Sequence, residues 1–481
     1  MFLAVLFIVA LSVWFIPMIE RARLPMLGAI VLIIGTVFGP AFYSINGPLQ
    51  VSIDRVLFVI VCIVAFFSLR GLTARIPQLN GSDWLVALYV GWVLVSTRRG
   101  DPPVGSSPLG SWIFYVLLPA MMYGVVRVAK LKDIDLNRLE VVFLGLGLYL
   151  AITGFFESRG WYSLVFPRFI GDPTNWEFLG RARGPLLNPS ANGILLTVGL
   201  SIAAIRFLRA ERAGKLGYGI ATLFMMLGIY STLTRSVWIG GFVALAIIFW
   251  QVTPRWTKAL GLCTVILLAG FVAAGLKDQL LRMKRDKNLS AAESEKSVQL
   301  RPLLAIIAFE MMKDAPITGH GFGLYQEASK RYFSIRSYGM PLEVTRGYHQ
   351  HNVLLSIAVN TGLIGLTLFT VLFVRWTRGG WQLSKNRQVT RLQQDAGILV
   401  VASLAGYFVG GMFQDVTIMP MINMYLFFFA GLIVNLIQAS AEQTAPATSS
   451  SRTPERIRLS LPSICDQETE AVDEWLRPSA S

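Results

Sequence analysis

His320, His349 and His351 are the whole histidine complement of this 481-residue chain, and they fall close together, in "GHGFG" and "GYHQHNVLLSIAVNTGLIG". An imidazole titrates near neutral pH and can take a proton from a hydroxyl, as a general base must. His351 and Asn352 open a long apolar run, so His351 is expected at the edge of a spanning helix, as a candidate base or as a helix cap. Arginines stand in three further stretches: Arg183 in "GRARGPLLNPSANG", Arg235 in "STLTRSVWIGG" and Arg301 in "LRPLLAIIAFEMMKD". A guanidinium stays charged and binds phosphate oxygens in pairs, so arginines gathered around an imidazole suit an anionic, phosphate-bearing ligand. For each arginine taken singly, snorkelling to lipid phosphate is the alternative.

The neighbouring residues sharpen these expectations. Pro302 suits the first turn of a helix, which would put Arg301 at a helix start beside free N–H groups, and the apolar residues that follow suit a helix lying on the membrane surface. Asn188 and Asn192 would lie one turn apart on one helix face, where bonding between helices is the plain alternative to binding. Asn188, Asn352, His349, His320 and Asp415 are the candidates for binding or orienting a substrate. Tyr325, Tyr332, Phe333, Tyr338 and Tyr348 offer rings that sugars or the membrane interface would accept. The glycines at 319, 321 and 323 lack the strand and helix of a dinucleotide loop and read as a tight turn. Cys62, Cys263 and Cys465 are too scattered for a disulfide framework or a metal site, and no metal or other cofactor is expected.

These residues must be positioned by membrane helices. Hydrophobic residues make up 54% of the chain and charged ones 15%, a balance that soluble domains do not show. Thirteen apolar runs are candidate spans: 2–19, 24–39, 56–69, 84–96, 109–126, 139–157, 185–205, 216–234, 236–250, 259–276, 352–374, 397–413 and 417–437. The first lacks the basic start and small-residue cleavage site of a signal peptide and is expected to span. The expected fold is all-α and polytopic, with 12–14 transmembrane helices and one large outer-face loop carrying short interfacial helices. Its parts are an N-terminal bundle at 1–276, the outer loop at 277–351, C-terminal helices at 352–437 and a disordered tail at 438–481.

Charge orients the bundle. Alternate short connections hold nineteen Lys and Arg in one set and eight in the other. Cytoplasmic loops are the basic ones, so the richer set is expected inside and the three histidines outside. Arg181, Arg183 and Arg235 then lie on the outer side, against the bias. The net charge of +15 is not by itself a sign of nucleic-acid binding, and nucleic acid is not an expected partner.

In this order, "GRARGPLLNPSANG", "STLTRSVWIGG", the Arg301 stretch with "GHGFG", and "HNVLLSIAVNTGLIG" resemble the O-antigen ligase and O-antigen polymerase superfamily of bacterial membrane glycosyltransferases. The likeness covers residues 180–375 in detail. It implies a glycan donor on undecaprenyl diphosphate, taken at the outer, periplasmic face of the bacterial inner membrane, without a metal. By that resemblance Arg235 and Arg301 would hold the diphosphate, Arg183 would assist, and His351 would activate the acceptor hydroxyl in an inverting displacement. The acceptor would be another lipid-linked glycan, lipid A–core or a protein hydroxyl, in O-antigen, capsule or exopolysaccharide assembly. A transporter or flippase for an anionic lipid-linked glycan or small anion is the reading from another class, favoured by inverted repeats, and no obvious repeat is visible. One departure concerns the base. "GYHQH" carries a second histidine, and if the helix started earlier, His349 and His351 would point apart.

Overall fold

In lipid every backbone N–H and C=O must be satisfied within the segment, so long apolar runs fold as helices. A computed structural model describes residues 23–45, 50–69, 78–98, 107–258 and 291–444, with the backbone alone for 291–299 and 443–444. Its main helices are α1 (Leu24–Val37), α2 (Ile53–Ser68), α3 (Gly81–Ser96), α4 (Pro108–Arg127) and α5 (Asp133–Arg159). They continue as α6 (Pro189–Arg209), α7 (Arg212–Ser231), α8 (Arg235–Val252), α9 (Ala291–Asp314), α10 (Val353–Lys385), α11 (Arg391–Gly411) and α12 (Pro420–Thr444). Among the described residues the only sheet is a hairpin of Ser44–Ile45 with Val51–Ser52.

Eight of these helices, α4 to α8 and α10 to α12, are long and apolar enough to cross a membrane, and the chain is an all-α polytopic membrane protein. Eleven of the expected spans coincide with described helices. Those at 2–19 and 259–276, and the tail beyond 444, lie outside the described residues. The chain divides at Ser440, and of the second unit only 441–444 is described.

Two expectations are corrected. Helix α9 begins at Ala291, so Pro302 lies inside it and Arg301 is mid-helix, away from any helix N-terminus. Proline there removes one backbone bond within the helix, which the rest of its length tolerates. The apolar residues after Pro302 do not lie against lipid alone. Leu303, Ile307 and Met311 recur on one face and form a small core with Tyr332, Phe333, Leu342 and Val359.

Side-chain bonds fix which helix ends lie together. At one end Arg23 pairs with Asp135 at 3.0 Å, Arg127 with Asp83 at 3.1 Å, Arg209 with Asp395 at 2.9 Å, and Arg206 with Glu140. All four arginines belong to the richer set. At the other end lie Arg181, Arg183 and Arg235, the start of α10 and the α11–α12 turn. Small residues let the helices close up: a Cβ on Gly147 of α5 would fall 2.9 Å from the Cα of Gly199 on α6.

Candidate functional site

The end that carries the site is organised around a break in α10. Gly362 has φ 68° and ψ −170°, a conformation reserved in practice for glycine, so the helix stops and restarts there. A break strands carbonyls and N–H groups that lipid cannot satisfy. The "GHGFG" turn and its flanks take them up. His320 N donates to Val359 O at 2.8 Å, Gly321 N to Asn360 O at 3.0 Å, and Leu363 N to Pro316 O at 2.9 Å. The indole of Trp92 on α3 donates to Thr361 O at 2.9 Å. The two glycine-bearing stretches that stood out in the sequence are therefore one structural unit.

His320 is spent within that unit. Its Nδ1 faces the guanidinium of Arg331 at 3.3 Å, and arginine can only donate. Its Nε2 lies 2.7 Å from Met311 O and so is the protonated nitrogen. Burial holds its pKa below the usual histidine range, in keeping with a neutral ring.

His351 immediately precedes Asn352, which caps α10 by accepting from Leu354 N at 2.9 Å and Leu355 N at 3.1 Å. The same Asn352 donates to Met412 O at 3.2 Å, tying the start of α10 to the α11–α12 turn. Arg301 holds its guanidinium 5.7 Å from the centre of the Phe413 ring, next in that turn. Arg235 is exposed at the first position of α8 and makes no hydrogen bond or ion pair among the described residues. Helix α8 packs on α11 where a Cβ on Gly240 would lie 3.6 Å from Gly406 and 3.8 Å from Val409. Five residues back along α8, about 7.5 Å by helical rise, Arg235 comes level with the last turn of α11, just before Met412 and Phe413. Arg301 and Asn352, the neighbour of His351, thus both reach the turn at 412–413, and Arg235 opens α8 at the same end of the bundle.

Arg183 is placed differently from the expectation that it sits beside a diphosphate. Its side chain is fully buried, with Nε 2.8 Å from Glu157 Oε1, Nη2 2.6 Å from Ile170 O and Nη1 2.6 Å from Glu177 O. A further bond from Nη1 goes to Asn175 O. Four of its five donor hydrogens are committed to the protein. Arg181, which the sequence placed on the outer side without a role, is buried too. Its Nε donates to Thr232 O at 3.0 Å and its Nη2 to Thr234 Oγ1 at 2.6 Å, so it clamps the turn from which Arg235 rises.

Asn188 caps α6, accepting from Ser190 N at 2.9 Å and Ala191 N at 3.0 Å, and it borders an apolar cavity of about 320 Å³ with Arg55, Phe114 and Met421. Asp415 is buried in the α11–α12 turn. Ser356 Oγ donates to it at 2.7 Å, Thr417 N at 3.0 Å and Thr417 Oγ1 at 2.5 Å. No cation among the described residues neutralises it, and burial pushes its pKa up to about 6. Asp415 and His349 line a second cavity of about 270 Å³ with Tyr115, Tyr325 and Asn360. Burial also lowers the His349 pKa. Of the rings expected to meet sugars, Tyr325, Tyr332 and Phe333 all belong to the small core, and Tyr325 also borders this cavity. The stretch 348–352 is not helical, so a helix turning His349 away from His351 does not arise.

No curated protein matches the chain. Residues 220–370, which include Arg235, Arg301, the break in α10 and all three histidines, match the family described as O-antigen ligase.

Proposed function

We propose that this protein transfers a glycan from undecaprenyl diphosphate to an acceptor hydroxyl at the outer face of a bacterial inner membrane. Arg235 and Arg301 hold the diphosphate, and His351 is the general base. The acceptor oxygen gives its proton to the imidazole of His351 and attacks the anomeric carbon. The bond from that carbon to the diphosphate oxygen breaks on the opposite side, inverting the centre. The electron pair leaves on the lipid diphosphate, and the two guanidinium groups stabilise the charge without a metal. Each contributes on the order of 3 kcal/mol, the scale of one oxyanion donor.

Support comes from one end of the bundle: Arg301 lies on Phe413 and Asn352 on Met412 in a single turn, and Arg235 opens α8 at the same end. All three belong to the stretch that matches the O-antigen ligase family. Arg183 and Arg181 act through the backbone they hold and do not touch substrate. Topology supports the outer face, since the arginines of this end are those of the sparser set.

Reconstitution tests the proposal. Full-length protein in liposomes is given an undecaprenyl-diphosphate-linked oligosaccharide and an acceptor, and products are read by mass. A new glycosidic bond with release of undecaprenyl diphosphate is expected. Movement of intact donor across the bilayer with no new bond would mark a carrier instead.

A further inference from the structure

The apolar cavity of about 320 Å³ is bordered by the end of α1 and the start of α2, and α4, the start of α6 and the α11–α12 turn close it. Phe58, Leu118, Met419, Met421 and Met424 are among its walls. Thioether side chains fill irregular space and adapt to a flexible occupant. The volume is at the low end of ligand pockets, roughly 300–1,000 Å³. Every lining residue lies outside residues 220–370, and the cavity meets the α11–α12 turn at 418–420, away from the 412–413 stretch that Arg301 and Asn352 reach.

Two charges stand in this apolar wall. Asp54 and Arg55, neighbours at the start of α2, both line the cavity, and no ion pair joins them among the described residues. Asp54 accepts from Ser52 Oγ at 2.6 Å. Arg55 donates to Gln50 O and holds its guanidinium 3.6 Å from the centre of the Phe114 ring. A guanidinium has five donor hydrogens, more than that one bond uses. Cation and anion side by side at the edge of an apolar cavity complement a zwitterionic headgroup on an apolar chain. Exposed rings mark the depth. Phe42 follows directly on the lining residues at 39–41, and Phe42 and Phe166, each about half exposed, flank Phe38 at 5.1 and 6.0 Å between ring centres. Exposed aromatic rings at the ends of membrane helices sit at the headgroup level, so the cavity opens where phospholipid headgroups lie.

We propose that this cavity is a lipid site separate from the donor's, taking one acyl chain of a phosphatidylethanolamine from the leaflet at this end of the bundle. The phosphate rests on Arg55 and the ammonium on Asp54. The chain lies among Phe58, Leu118 and the methionines, and joins α1 and α2 to α4 and α12.

Full-length protein stripped of lipid in detergent is titrated with dioleoylphosphatidylethanolamine, and bound lipid is read by native mass spectrometry. One lipid per chain is expected at the tightest step, with a rise in thermal midpoint. Arg55→Gln is expected to raise its Kd at least about tenfold, the scale of a hydrogen bond to a charged group. Leu118→Trp narrows the cavity from α4 and should raise the same Kd, and neither variant should alter the Kd for undecaprenyl diphosphate. Dioleoylphosphatidylglycerol, with the same chains and no ammonium, should bind the unaltered protein about threefold more weakly, the scale of one partly exposed ion pair. Three results on the unaltered protein would each overturn the site: no tight lipid step, equal binding of the two phospholipids, or displacement of the bound lipid by undecaprenyl diphosphate. An unchanged Kd in either variant that keeps its lipid-free thermal midpoint would overturn it as well. All of these would leave glycosyl transfer standing.

Discussion

Gly319 and Gly362 meet backbone to backbone: a Cβ on Gly319 would fall 2.5 Å from the nitrogen of Gly362. Both have φ of +68°. Neither the "GHGFG" turn nor the broken helix has room for a side chain there, because the turn supplies the bonds that the break removes.

Gly362→Ala and Gly319→Ala should therefore each cost at least about 2 kcal/mol, from the left-handed backbone and the collision together. The expected readout is a lower thermal midpoint and earlier exchange of the amides at 320–321 and 363–364. Protection of those amides at the unaltered level would show that the docking does not depend on the glycines.

Arg183 and Arg235 should separate stability from activity. Arg183→Ala leaves Glu157 buried without its cation and is expected to cost about 3–5 kcal/mol, seen as loss of folded protein. Arg235→Ala removes an exposed side chain and should leave the thermal midpoint within a degree or two (~0.5 kcal/mol) while transfer falls. Equal thermal losses in both would remove the distinction drawn between them.

How much of this was visible in the chain follows from the physics of each feature. Apolar runs and the parity of basic loops were legible because the bilayer allows little else. The ends of α9 were not, since polar residues before Arg301 hide a helix that starts ten positions earlier. Arg183 misled because its partner Glu157 lies 26 positions away, at the end of another helix. The break at Gly362 was concealed in an unbroken apolar run, and only its tie to residues 316–321 reveals why "GHGFG" is there. His320 stood out as titratable, but its two ring nitrogens are held by Met311 and Arg331.

Asp415 gives a pH signature. Its pKa is about 6 in the folded protein and about 3.9 in an unfolded chain, so the folded state binds the extra proton between those values. Its contribution to stability falls as pH rises from about 4 to 6 and stays low above, by about 3 kcal/mol at most. Asp415→Asn removes the charge, while Ser356 and Thr417 can turn their hydroxyls to suit an amide. The variant should unfold at a higher temperature than the unaltered protein at pH 7.5, with the gap closing near pH 4. A gap independent of pH would contradict the buried, uncompensated charge.

The central assignment is best tested by donor binding and single-turnover transfer measured side by side, with an undecaprenyl-diphosphate-linked oligosaccharide. His351→Gln should slow transfer at least about 100-fold, the low end for a general base, while donor Kd stays nearly unchanged. Arg235→Ala and Arg301→Ala should weaken donor binding and slow transfer together. A His351→Gln protein that transfers at the rate of the unaltered one would contradict the account.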